Sequence, residues 1–426
     1  MRILLLGSGG REHALAWKMK QSLLCEELFI APGNAGTEIY GTNLSFSIND
    51  FKQVKECCIR ESINLVVVGP EDPLVNGIVD FIKNDKQLST VQIIGPSKNA
   101  AQLEGSKAFA KAFMQKNNIP TAAYKEFTAA NYEEGIEYIG NHALPVVLKA
   151  DGLAAGKGVL ICQNHVEAVA EFELMIQRSK FGEAGKRVVV EEFLEGIELS
   201  VFVLTDGRNY VILPEAKDYK QVGEGNTGLN TGGMGAVSPV PFAGKDFMQK
   251  VEEQIIKPTI NGLHHAKLDY RGFIFIGLMK VGDDPYVIEY NCRMGDPETE
   301  VVIPRLKNDF VQLMQATVTG RLDEIEIETD TRTACTVMAV SGGYPNEHRT
   351  GYPITGSENV SDENSLLFYA GTKREDGKLL TNGGRVLCIT SFGDSVAKAV
   401  ERSNKKLLQV HFQEKYFRND IGFEFF

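Results

Sequence analysis

The sequence predicts an α/β protein, with α+β character in parts, that is divided into several domains. Three observations carry this prediction. The N-terminal part alternates short apolar runs with helical segments, and a Gly- or Pro-rich loop follows each run. Further along, a glycine loop lies between two apolar strands, which is typical of a hairpin. The chain of 426 residues is also too long for one ordinary core, so about two to four domains are expected.

Composition and charge narrow the possible functions. Hydrophobic residues make up 43% of the chain and charged residues 24%, which are ordinary values for a globular protein. The formal net charge of −11 argues against nonspecific binding to nucleic acid or to an anionic membrane. The seven cysteines form no C-x-x-C pair, and no apolar run reaches membrane-spanning length. We therefore expect a soluble, cytoplasmic protein with reduced thiols and without nucleic-acid or membrane partners.

The first elements are a strand, a glycine turn and a helix. Residues 2–6 are apolar, and the turn GSGGRE at residues 7–12 precedes a helical stretch. Backbone N–H groups of such a turn, with the helix N-terminus behind them, attract an anion. A dinucleotide site is disfavoured, because Glu12 replaces the third glycine of G-x-G-x-x-G and no acid follows the second strand at residues 27–30. Arg11 suits a phosphate monoester instead.

Three loops of this N-terminal region are expected to meet. Apolar runs at residues 65–68 and 91–94 each lead into a Gly/Pro loop, and helical segments separate them. This pattern predicts a small parallel sheet, in which ligands bind beyond the carboxyl ends of the strands. The loops 7–12, 31–37 and 69–77 would converge there. Any one loop is explained as a simple turn, whereas the three together favour a phosphosugar or nucleotide site.

Two lysines and a glycine loop mark the middle of the chain. Lys107 lies at the start of a helix that Ser106 is expected to cap. Lys149 ends an apolar strand, and a loop of glycines and alanines leads from it to Lys157, Gly158 and a second strand. The loop is not a Walker A sequence, because its spacing differs and no Ser or Thr follows the lysine. It predicts a flap that closes over a nucleotide, although a flexible hairpin tip has the same pattern.

Two later segments are polar. Residues 191–198, EEFLEGIE, follow an apolar strand. Backbone groups at such a strand end can read an adenine edge while an acid holds a ribose hydroxyl, but an acidic surface loop has the same composition. Residues 218–239 are rich in Gly, Asn and Thr and predict a long loop without secondary structure. A loop of this length inside a compact domain is usually functional or disordered.

The stretch VIEYNCRMGDPETE at residues 287–300 carries the clearest chemistry. It begins as a strand, and alternation predicts a shared face for Val287, Glu289 and Asn291. A carboxylate and an amide oxygen two residues apart suit Mg²⁺, which takes few protein ligands and fills its shell with water and phosphates. Arg293 adds a cation just beyond. An edge strand with a solvated polar face alternates in the same way.

The order of these motifs resembles the ATP-grasp ligase superfamily. Lys107, Lys149 with its flap, EEFLEG and E-x-N follow one another as they do there. The segments GSGGREHAL, KADGLAAGKGV, NTGGMGA and RMGDPETE are together more specific, and they are similar to the phosphoribosylamine–glycine ligase family over essentially the whole chain. The resemblance implies ligation of glycine to 5-phosphoribosylamine by ATP in purine biosynthesis, through glycyl phosphate, with Mg²⁺ or Mn²⁺ as cofactor.

The resemblance also implies the domain layout. An N-terminal parallel α/β domain that binds the phosphosugar would cover residues 1–102. A central ATP-grasp fold would cover 103–328, with a mobile flap subdomain at about 122–190. A small C-terminal α/β domain would cover 329–426 and close one side of the cleft. The protein would act on small molecules as a monomer.

The implied ATP-binding residues lie in the lysine, flap and acidic segments. They are Lys107, Lys149, Gly152, Gly156, Lys157, Gly158, Glu191, Phe193, Leu194 and Glu198. The lysines and the flap would bind the phosphates. Glu191 and the backbone at 193–194 would hold adenine, and Glu198 would hold the ribose.

The remaining implied roles concern the phosphosugar, the metal and the reaction. Phosphoribosylamine would be bound by Gly9, Gly10, Arg11, Glu71 and Asp72. Glu289 and Asn291 would hold the metal. Arg293 would neutralise charge on the transferring phosphate or the tetrahedral intermediate, and Asp218 would pair with the glycine ammonium. Many ATP-grasp enzymes carry a further acid on the preceding strand; here that strand reads FIFIGLM, so only two side-chain ligands are expected.

Three other functions stay open on the sequence. A different carboxylate–amine ligase of the same superfamily is disfavoured by NTGGMGA together with RMGDPETE. A nucleotide-linked oxidoreductase would use the first glycine loop, but the third glycine and the ribose-binding acid are missing. A non-enzymatic ATP sensor would need the lysines but not the E-x-N pair.

Overall fold

The computed structural model describes residues 1–153, 158–178 and 180–426. A mixed sheet of 13 strands runs through the N-terminal, central and C-terminal parts of the chain, and a separate four-stranded sheet lies in the region predicted as the flap subdomain. The predicted α/β class with α+β parts is confirmed. Within the described ranges, no helix has both the length and the apolar character needed to cross a membrane. Each of the seven cysteines lies in this part, is buried, and is a free thiol.

The N-terminal part is a parallel sheet covered by helices on both faces. Its strands are β1 (Arg2–Gly7), β2 (Glu27–Pro32), β3 (Thr42–Asn43), β4 (Leu65–Val68) and β5 (Gln92–Pro96). Its helices are α1 (Gly10–Met19), α2 (Phe51–Arg60), α3 (Glu71–Asn76) and α4 (Ile78–Asn84). The order is β3-β2-β1-β4-β5, and every pair is parallel. β1 is apolar on both faces because Leu4 and Leu5 enter two different cores.

The flap subdomain follows two short helices, α5 (Gln102–Gly105) and α6 (Lys107–Lys116). Its elements are β6 (Tyr124–Thr128), α7 (Tyr132–Gly140), β7 (Val146–Ala150), β8 (Val159–Cys162), α8 (His165–Ile176) and β9 (Arg187–Glu192). The strands form an antiparallel sheet in the order β6-β9-β7-β8. The two helices pack on it around Phe127 and Phe172, which belong to a core of their own. This subdomain therefore has its own sheet and its own core.

The central part supplies the middle of the large sheet. Its strands are β10 (Ile197–Thr205), β11 (Tyr210–Asp218), β12 (Gln221–Gly223), β13 (Thr227–Asn230), β14 (Gly235–Ser238), β15 (Tyr270–Val281) and β16 (Asp284–Asn291). Its helices are α9 (Lys245–Val251), α10 (Lys257–His265), α11 (Thr299–Arg305) and α12 (Phe310–Thr319). β15 pairs with β10 and β16 and also reaches β5 of the N-terminal sheet. This strand joins the two parts of the molecule.

The C-terminal part extends the same sheet from its other end. It contains β17 (Thr333–Val340), β18 (Ser365–Tyr369), β19 (Thr372–Glu375), β20 (Lys378–Thr381), β21 (Arg385–Gly393) and α13 (Val396–Leu407). β17 pairs with β14 and with β21. The C-terminal strands thus lie beside the segment 218–239, which the sequence places near the centre of the chain.

Two local predictions differ from the structure. The helical segment predicted between the apolar runs at 65–68 and 91–94 is two helices, α3 and α4, because Gly77 between them adopts φ +95°, a left-handed conformation open to glycine. The segment 218–239, predicted to lack secondary structure, contains β12, β13 and β14. β14 is stabilised by β17 from much later in the chain, which explains why local composition does not reveal it.

The predicted alternation of β16 is wrong at one position. Glu289 and Asn291 both line the cleft described below, but Val287 is fully buried in the core. The register of β16 shifts just after the pair between Glu289 and Gly277, which leaves Ile288 as an extra residue. A bulge of this kind exchanges the two faces of a strand. Glu289 and Asn291, the two predicted metal ligands, therefore share a face, as predicted, without Val287.

Candidate active site

A cleft of about 620 Å³ lies where the central sheet meets the flap subdomain and the two terminal parts. It is lined by most of the predicted site residues, namely Arg11, Glu71, Lys107, Lys149, Gly158, Glu191, Phe193, Leu194, Glu198, Asp218, Glu289, Asn291 and Arg293. Gly152 lines a neighbouring cavity beside the flap instead. Gly9, Gly10 and Asp72 lie outside the lining of the cleft. Gly156 and Lys157 fall outside the described residues.

Glu191 lies between two lysines at the flap side of the cleft. Its Oε2 atom is 2.9 Å from Lys149 Nζ and 3.2 Å from Lys111 Nζ, and all three side chains are buried. The Oε1 atom of Glu191 is buried and has no hydrogen-bond partner among the described residues. Burial lowers the pKa of Lys111 to about 8. This arrangement leaves one carboxylate oxygen available to an amino group of a ligand.

Lys111 is a site residue that the sequence reasoning missed. It lies one turn after Lys107 on α6 and donates to Thr121 Oγ1 at 2.8 Å and to the Ala122 carbonyl at 3.1 Å. Residues four apart on a helix share a face. The four-residue spacing from Lys107 could therefore have indicated that Lys111 lies on the same face of the helix.

The start of α6 is attached to the base of the flap. Ser106 caps the helix through Phe109 N–H, as predicted, and its hydroxyl donates to Asp151 Oδ1 at 2.9 Å. Lys107 Nζ donates to the Gly152 carbonyl at 3.1 Å. Burial lowers the pKa of Lys107. The carboxylate of Asp151 thus compensates the positive helix N-terminus, and Lys107 lies where the flap begins.

Glu198 is paired with a lysine from the 218–239 segment. The distance from Glu198 Oε2 to Lys220 Nζ is 2.7 Å. The charge of Lys220 lowers the pKa of Glu198. Although burial opposes it, the ion pair with Glu198, followed by the charge of Asp218, raises the pKa of Lys220 well above its usual range. Lys220 is a second residue that the sequence reasoning missed.

The acidic side of the cleft holds the predicted metal ligands. Glu289 lies opposite Gly277 on β15, and a Cβ atom at Gly277 would lie 3.0 Å from Glu289 Cγ. A further side chain on the preceding strand therefore has little room at this position. Within the described parts of the chain, no three His, Cys, Asp or Glu side chains form a metal site. The Glu289 carboxylate and the Asn291 amide oxygen fit a hard cation that takes its other ligands from water and phosphates.

Glu298 is a further acid of this side that the sequence reasoning did not assign. It is buried, lines the cleft and lies 3.4 Å from Ser200 Oγ. Burial, followed by the charge of Asp218, raises the pKa of Glu298 to about 8. Burial also raises the pKa of Asp218. Two carboxyl groups with raised pKa values thus line the same cleft.

We expect the raised pKa of Glu298 to make the stability of the fold depend on pH. Folding raises the pKa of Glu298 from 4.5 to about 8. The protonated carboxyl therefore makes its full contribution to stability below pH 4.5, and this contribution is lost as the pH rises through about 8. Relative to Glu298→Gln, the wild type should lose about 1.4 kcal/mol of unfolding free energy per pH unit between about pH 5.5 and 7, and the loss should level off above about pH 8. Urea unfolding of both proteins in EDTA measures this, and parallel pH curves would contradict it.

Arg293 joins three parts of the site. Its guanidinium lies 2.7 Å from Glu104 Oε1 and 3.1 Å from Glu71 Oε2, and it donates to Asn291 Oδ1 at 3.3 Å. Glu104 also accepts the N–H of Cys292 at 2.8 Å. Although burial opposes it, the charges of Glu104 and Glu71 raise the pKa of Arg293. The two carboxylates hold this cation beside the predicted metal ligands.

The loops of the N-terminal part converge as predicted. Asn34 of the second loop donates to the Ser8 carbonyl at 2.9 Å. The third loop approaches the first at Gly69, where a Cβ atom would lie 2.0 Å from Glu12 Oε1. Arg11 reaches the cleft and donates to the Met294 carbonyl at 3.1 Å. The three loops therefore form one wall of the site.

Two N–H groups of the first loop, those of Gly9 and Arg11, are occupied by the protein's own carboxylates. Gly9 N–H donates to Glu12 Oε2 at 2.6 Å, and Arg11 N–H donates to Asp296 Oδ2 at 3.2 Å. A Cβ atom at Gly10 would lie 2.4 Å from Glu300 Oε1. The Gly9 N–H is therefore bound within the protein in this structure, and Arg11 is the part of this loop that lines the cleft.

The C-terminal part closes the cleft from the opposite side. Arg385 forms an ion pair with Asp296 at 2.9 Å and donates to the Gly232 carbonyl at 2.7 Å. The backbone of Tyr369 is held from two sides, since its N–H donates to His13 Nδ1 at 2.7 Å and its carbonyl accepts from Asn34 at 2.8 Å. Burial lowers the pKa of His13 to about 3, so the ring stays neutral.

Family models match this chain in three consecutive parts. The N domain of phosphoribosylglycinamide synthetase matches residues 1–104, its ATP-grasp (A) domain matches 105–299, and its C domain matches 334–424. The chain is 44% identical over 426 residues to a phosphoribosylamine–glycine ligase from Haemophilus influenzae, covering 99% of this chain and 98% of the relative. It is 44% identical over 427 residues to the enzyme of the same name from Escherichia coli O157:H7, with the same coverage.

Solved structures are similar over the same length. The crystal structure of a phosphoribosylamine–glycine ligase from Thermotoga maritima has a TM-score of 0.85 and 37% identity, and the match covers 99% of this chain and 100% of that one. A biotin carboxylase domain of 2-oxoglutarate carboxylase from Hydrogenobacter thermophilus, in complex with MgADP, has a TM-score of 0.75 at 15% identity and covers 98% of this chain and 91% of that one. The second likeness concerns the fold alone.

Proposed function

Because this chain belongs to the phosphoribosylglycinamide synthetase family, we propose that its cleft joins glycine to 5-phosphoribosylamine with the use of ATP. The products are glycinamide ribonucleotide, ADP and phosphate, in purine biosynthesis. One structural observation carries the proposal: the half-buried Lys107 and the buried Lys149 line one cleft together with the oxygen pair of Glu289 and Asn291. Such a cleft suits a metal-bound nucleotide.

The reaction needs an activated carboxylate. An amine does not displace oxide from the carboxylate of glycine, so phosphoryl transfer from ATP first gives glycyl phosphate, whose leaving group is phosphate. The amine of phosphoribosylamine then attacks the carbonyl carbon. Water would destroy the acyl phosphate, which is why a flap over the site is useful. Positioning and charge neutralisation account for most of the catalysis in such phosphoryl transfers.

The nucleotide lies between the flap and the central strands in this proposal. Lys107, Lys149, Gly152 and Gly158 contact its phosphates, together with Gly156 and Lys157, which lie outside the described residues. Glu191 accepts the adenine amino group through the Oε1 atom that has no described protein partner, and the backbone at 193–194 reads the ring edge. Glu198, held by Lys220, binds a ribose hydroxyl.

Glu289 and Asn291 hold Mg²⁺ or Mn²⁺ in this proposal. The ion, when bound, neutralises charge on the β- and γ-phosphates of ATP. Two hard oxygen ligands on one strand face match the way Mg²⁺ is held by few protein groups. The MgADP complex of the biotin carboxylase domain supports this assignment through the fold alone.

The acidic side of the cleft binds glycine. Asp218 pairs with the glycine ammonium, and Arg293 neutralises charge on the transferring phosphate and on the tetrahedral intermediate. The amine that attacks glycyl phosphate must lose a proton. Glu298 suits this task because burial and Asp218 raise its pKa to about 8, and a carboxyl that titrates near neutrality exchanges a proton readily.

The phosphosugar lies against the N-terminal loops. Arg11 binds its 5-phosphate, and Glu71 and Asp72 are available to its hydroxyls, with Gly9 and Gly10 shaping the loop behind Arg11. We include in the proposal that the protein works in the cytoplasm as a monomer on small molecules, without nucleic acid or membrane. The net charge of −11 supports the absence of nucleic-acid and membrane partners.

A coupled assay tests the function. Phosphate release should require ATP, glycine and freshly made phosphoribosylamine together, and omission of either amine should reduce it to background. Phosphate release that proceeds with glycine and a different amine, but not with phosphoribosylamine, would indicate another carboxylate–amine ligase. Lack of NAD(P)H binding would exclude an oxidoreductase.

The placement of the phosphosugar gives a separate prediction. In Arg11→Ala, the KM for phosphoribosylamine should rise by at least tenfold, because a charged hydrogen bond to phosphate contributes about 1.5–3 kcal/mol. The KM for ATP should change little. Steady-state kinetics with each substrate varied in turn measures the ratio. An equal rise in both KM values would place the phosphosugar elsewhere in the cleft.

A further inference from the structure

Glu12 is an acid of the first loop to which the reaction above gives no role. It lies in the first turn of α1, is only 1% exposed, and uses both carboxylate oxygens. Oε2 accepts the N–H of Gly9 at 2.6 Å, and Oε1 accepts from Arg11 Nε at 2.5 Å. The carboxylate therefore takes the place that an anionic ligand would have on this loop.

Two glycines provide the space for this side chain. A Cβ atom at Gly69 would lie 2.0 Å from Glu12 Oε1, and one at Gly7 would lie 2.5 Å from Glu12 Cδ. Gly7 ends β1, and Gly69 directly follows β4. Both neighbouring strand ends thus lack a side chain at the point where Glu12 folds beneath the loop, so the three residues form one packed unit.

The unit fixes the direction of Arg11. One guanidinium nitrogen, Nε, is bound by Glu12 and another, Nη1, by the Met294 carbonyl at 3.1 Å, while the side chain still lines the cleft. A charged hydrogen bond inside a buried site holds a flexible arginine in one geometry. Without Glu12, the loop would lose its partner for Gly9 N–H and the counter-charge of Arg11.

We propose that Glu12 is a positioning residue of the phosphosugar pocket. It acts as a built-in anion that holds Gly9 N–H and aims Arg11 into the cleft. The pocket then binds a phosphate monoester through the arginine, whereas a diphosphate, which would need the N–H groups of Gly9 and Arg11, finds both bound by carboxylates. The inference rests on the proposed function, because it assumes that the phosphosugar is the ligand of Arg11.

Kinetics of Glu12→Gln and Gly69→Ala test the proposal from two sides. In Glu12→Gln, an amide N–H donor replaces one carboxylate acceptor and faces another donor. In Gly69→Ala, the added methyl group displaces the carboxylate of Glu12. Each variant should raise the KM for phosphoribosylamine, and the inhibition constant of the stable monoester ribose 5-phosphate, on the order of tenfold. The KM values for ATP and glycine should change by less than about twofold. Glu27→Gln, on the exposed end of β2, should match the wild type.

The double variant distinguishes a shared action from two separate ones. Both changes act on one carboxylate. The KM of the double variant Glu12→Gln with Gly69→Ala for phosphoribosylamine should therefore be no higher than that of the single variant with the larger effect. Singles whose effects multiply, or a fall in kcat with every KM unchanged, would overturn the proposal. If Glu12→Gln does not fold, the KM ratio of Gly69→Ala alone decides. A wild type without phosphoribosylamine-dependent phosphate release would instead refute the proposed function.

Discussion

Glu289→Gln should keep the fold and lose ATP-dependent ligation by at least about a hundredfold in kcat. The change removes one charge from the oxygen pair that shares the cleft with Lys107 and Lys149, and it leaves the size of the side chain unchanged. Neutralisation of phosphate charge by a bound metal is worth several kcal/mol in the transition state, and about 1.4 kcal/mol corresponds to a factor of ten. The apparent affinity for Mg²⁺ should fall together with kcat.

The matched control for this variant is Asp284→Asn on the same strand. Asp284 is exposed and pairs with Lys250 at 2.7 Å, away from the cleft. It should retain wild-type kinetics, since exposed ion pairs contribute little. Phosphate release at a range of Mg²⁺ concentrations measures both variants. Near-normal kcat for Glu289→Gln at saturating Mg²⁺ would refute the metal assignment.

Arg293→Leu should destabilise the protein by about 3–5 kcal/mol, the usual effect of removing one partner from a buried ion pair. The arginine lies 2.7 Å from Glu104, whose side chain is only 4% exposed. Its loss leaves that carboxylate buried without a cation. Ligation should also be lost, because the variant no longer has a positive charge beside Asn291.

A second substitution separates the charge effect from packing. Arg293→Leu combined with Glu104→Gln keeps an acceptor for the Cys292 N–H and removes the unpaired charge, so it should recover part of the lost unfolding free energy. Arg321→Leu removes an exposed arginine near Glu324 and should change stability by less than about 1 kcal/mol. Urea unfolding measures all three. A single variant as stable as Arg321→Leu would contradict the role given to Arg293.

Features with a local signal were predictable from the sequence. The parallel N-terminal sheet follows from apolar runs that each end in a Gly/Pro loop. The cap at Ser106 and the shared face of Glu289 and Asn291 follow from spacing over a few residues. These signals depend on residues that are near neighbours in the chain, so they can be recognised without any knowledge of the fold.

Features that depend on distant partners were not predictable. The bulge at Ile288 exists only relative to β15, so alternation alone assigns Val287 to the wrong face. Arg11 N–H and Asp296 are 285 positions apart, and nothing near either residue indicates the contact. In the sequence, Glu12 only stands where the third glycine of a dinucleotide loop would be. The structure alone shows that its side chain packs against Gly7 and Gly69.

The flap subdomain's own sheet and core have a consequence for how this chain unfolds. Among the described residues, its strands pair only with one another, and the nearest bridge to the large sheet joins Thr121 and Val287. The 13 strands of the large sheet, in contrast, are joined by continuous hydrogen-bonded pairing that runs from β3 to β18. The subdomain can therefore open and refold as a separate cooperative unit while the wall formed by the three N-terminal loops stays assembled. ATP bound beneath it would stabilise that unit selectively, by mass action.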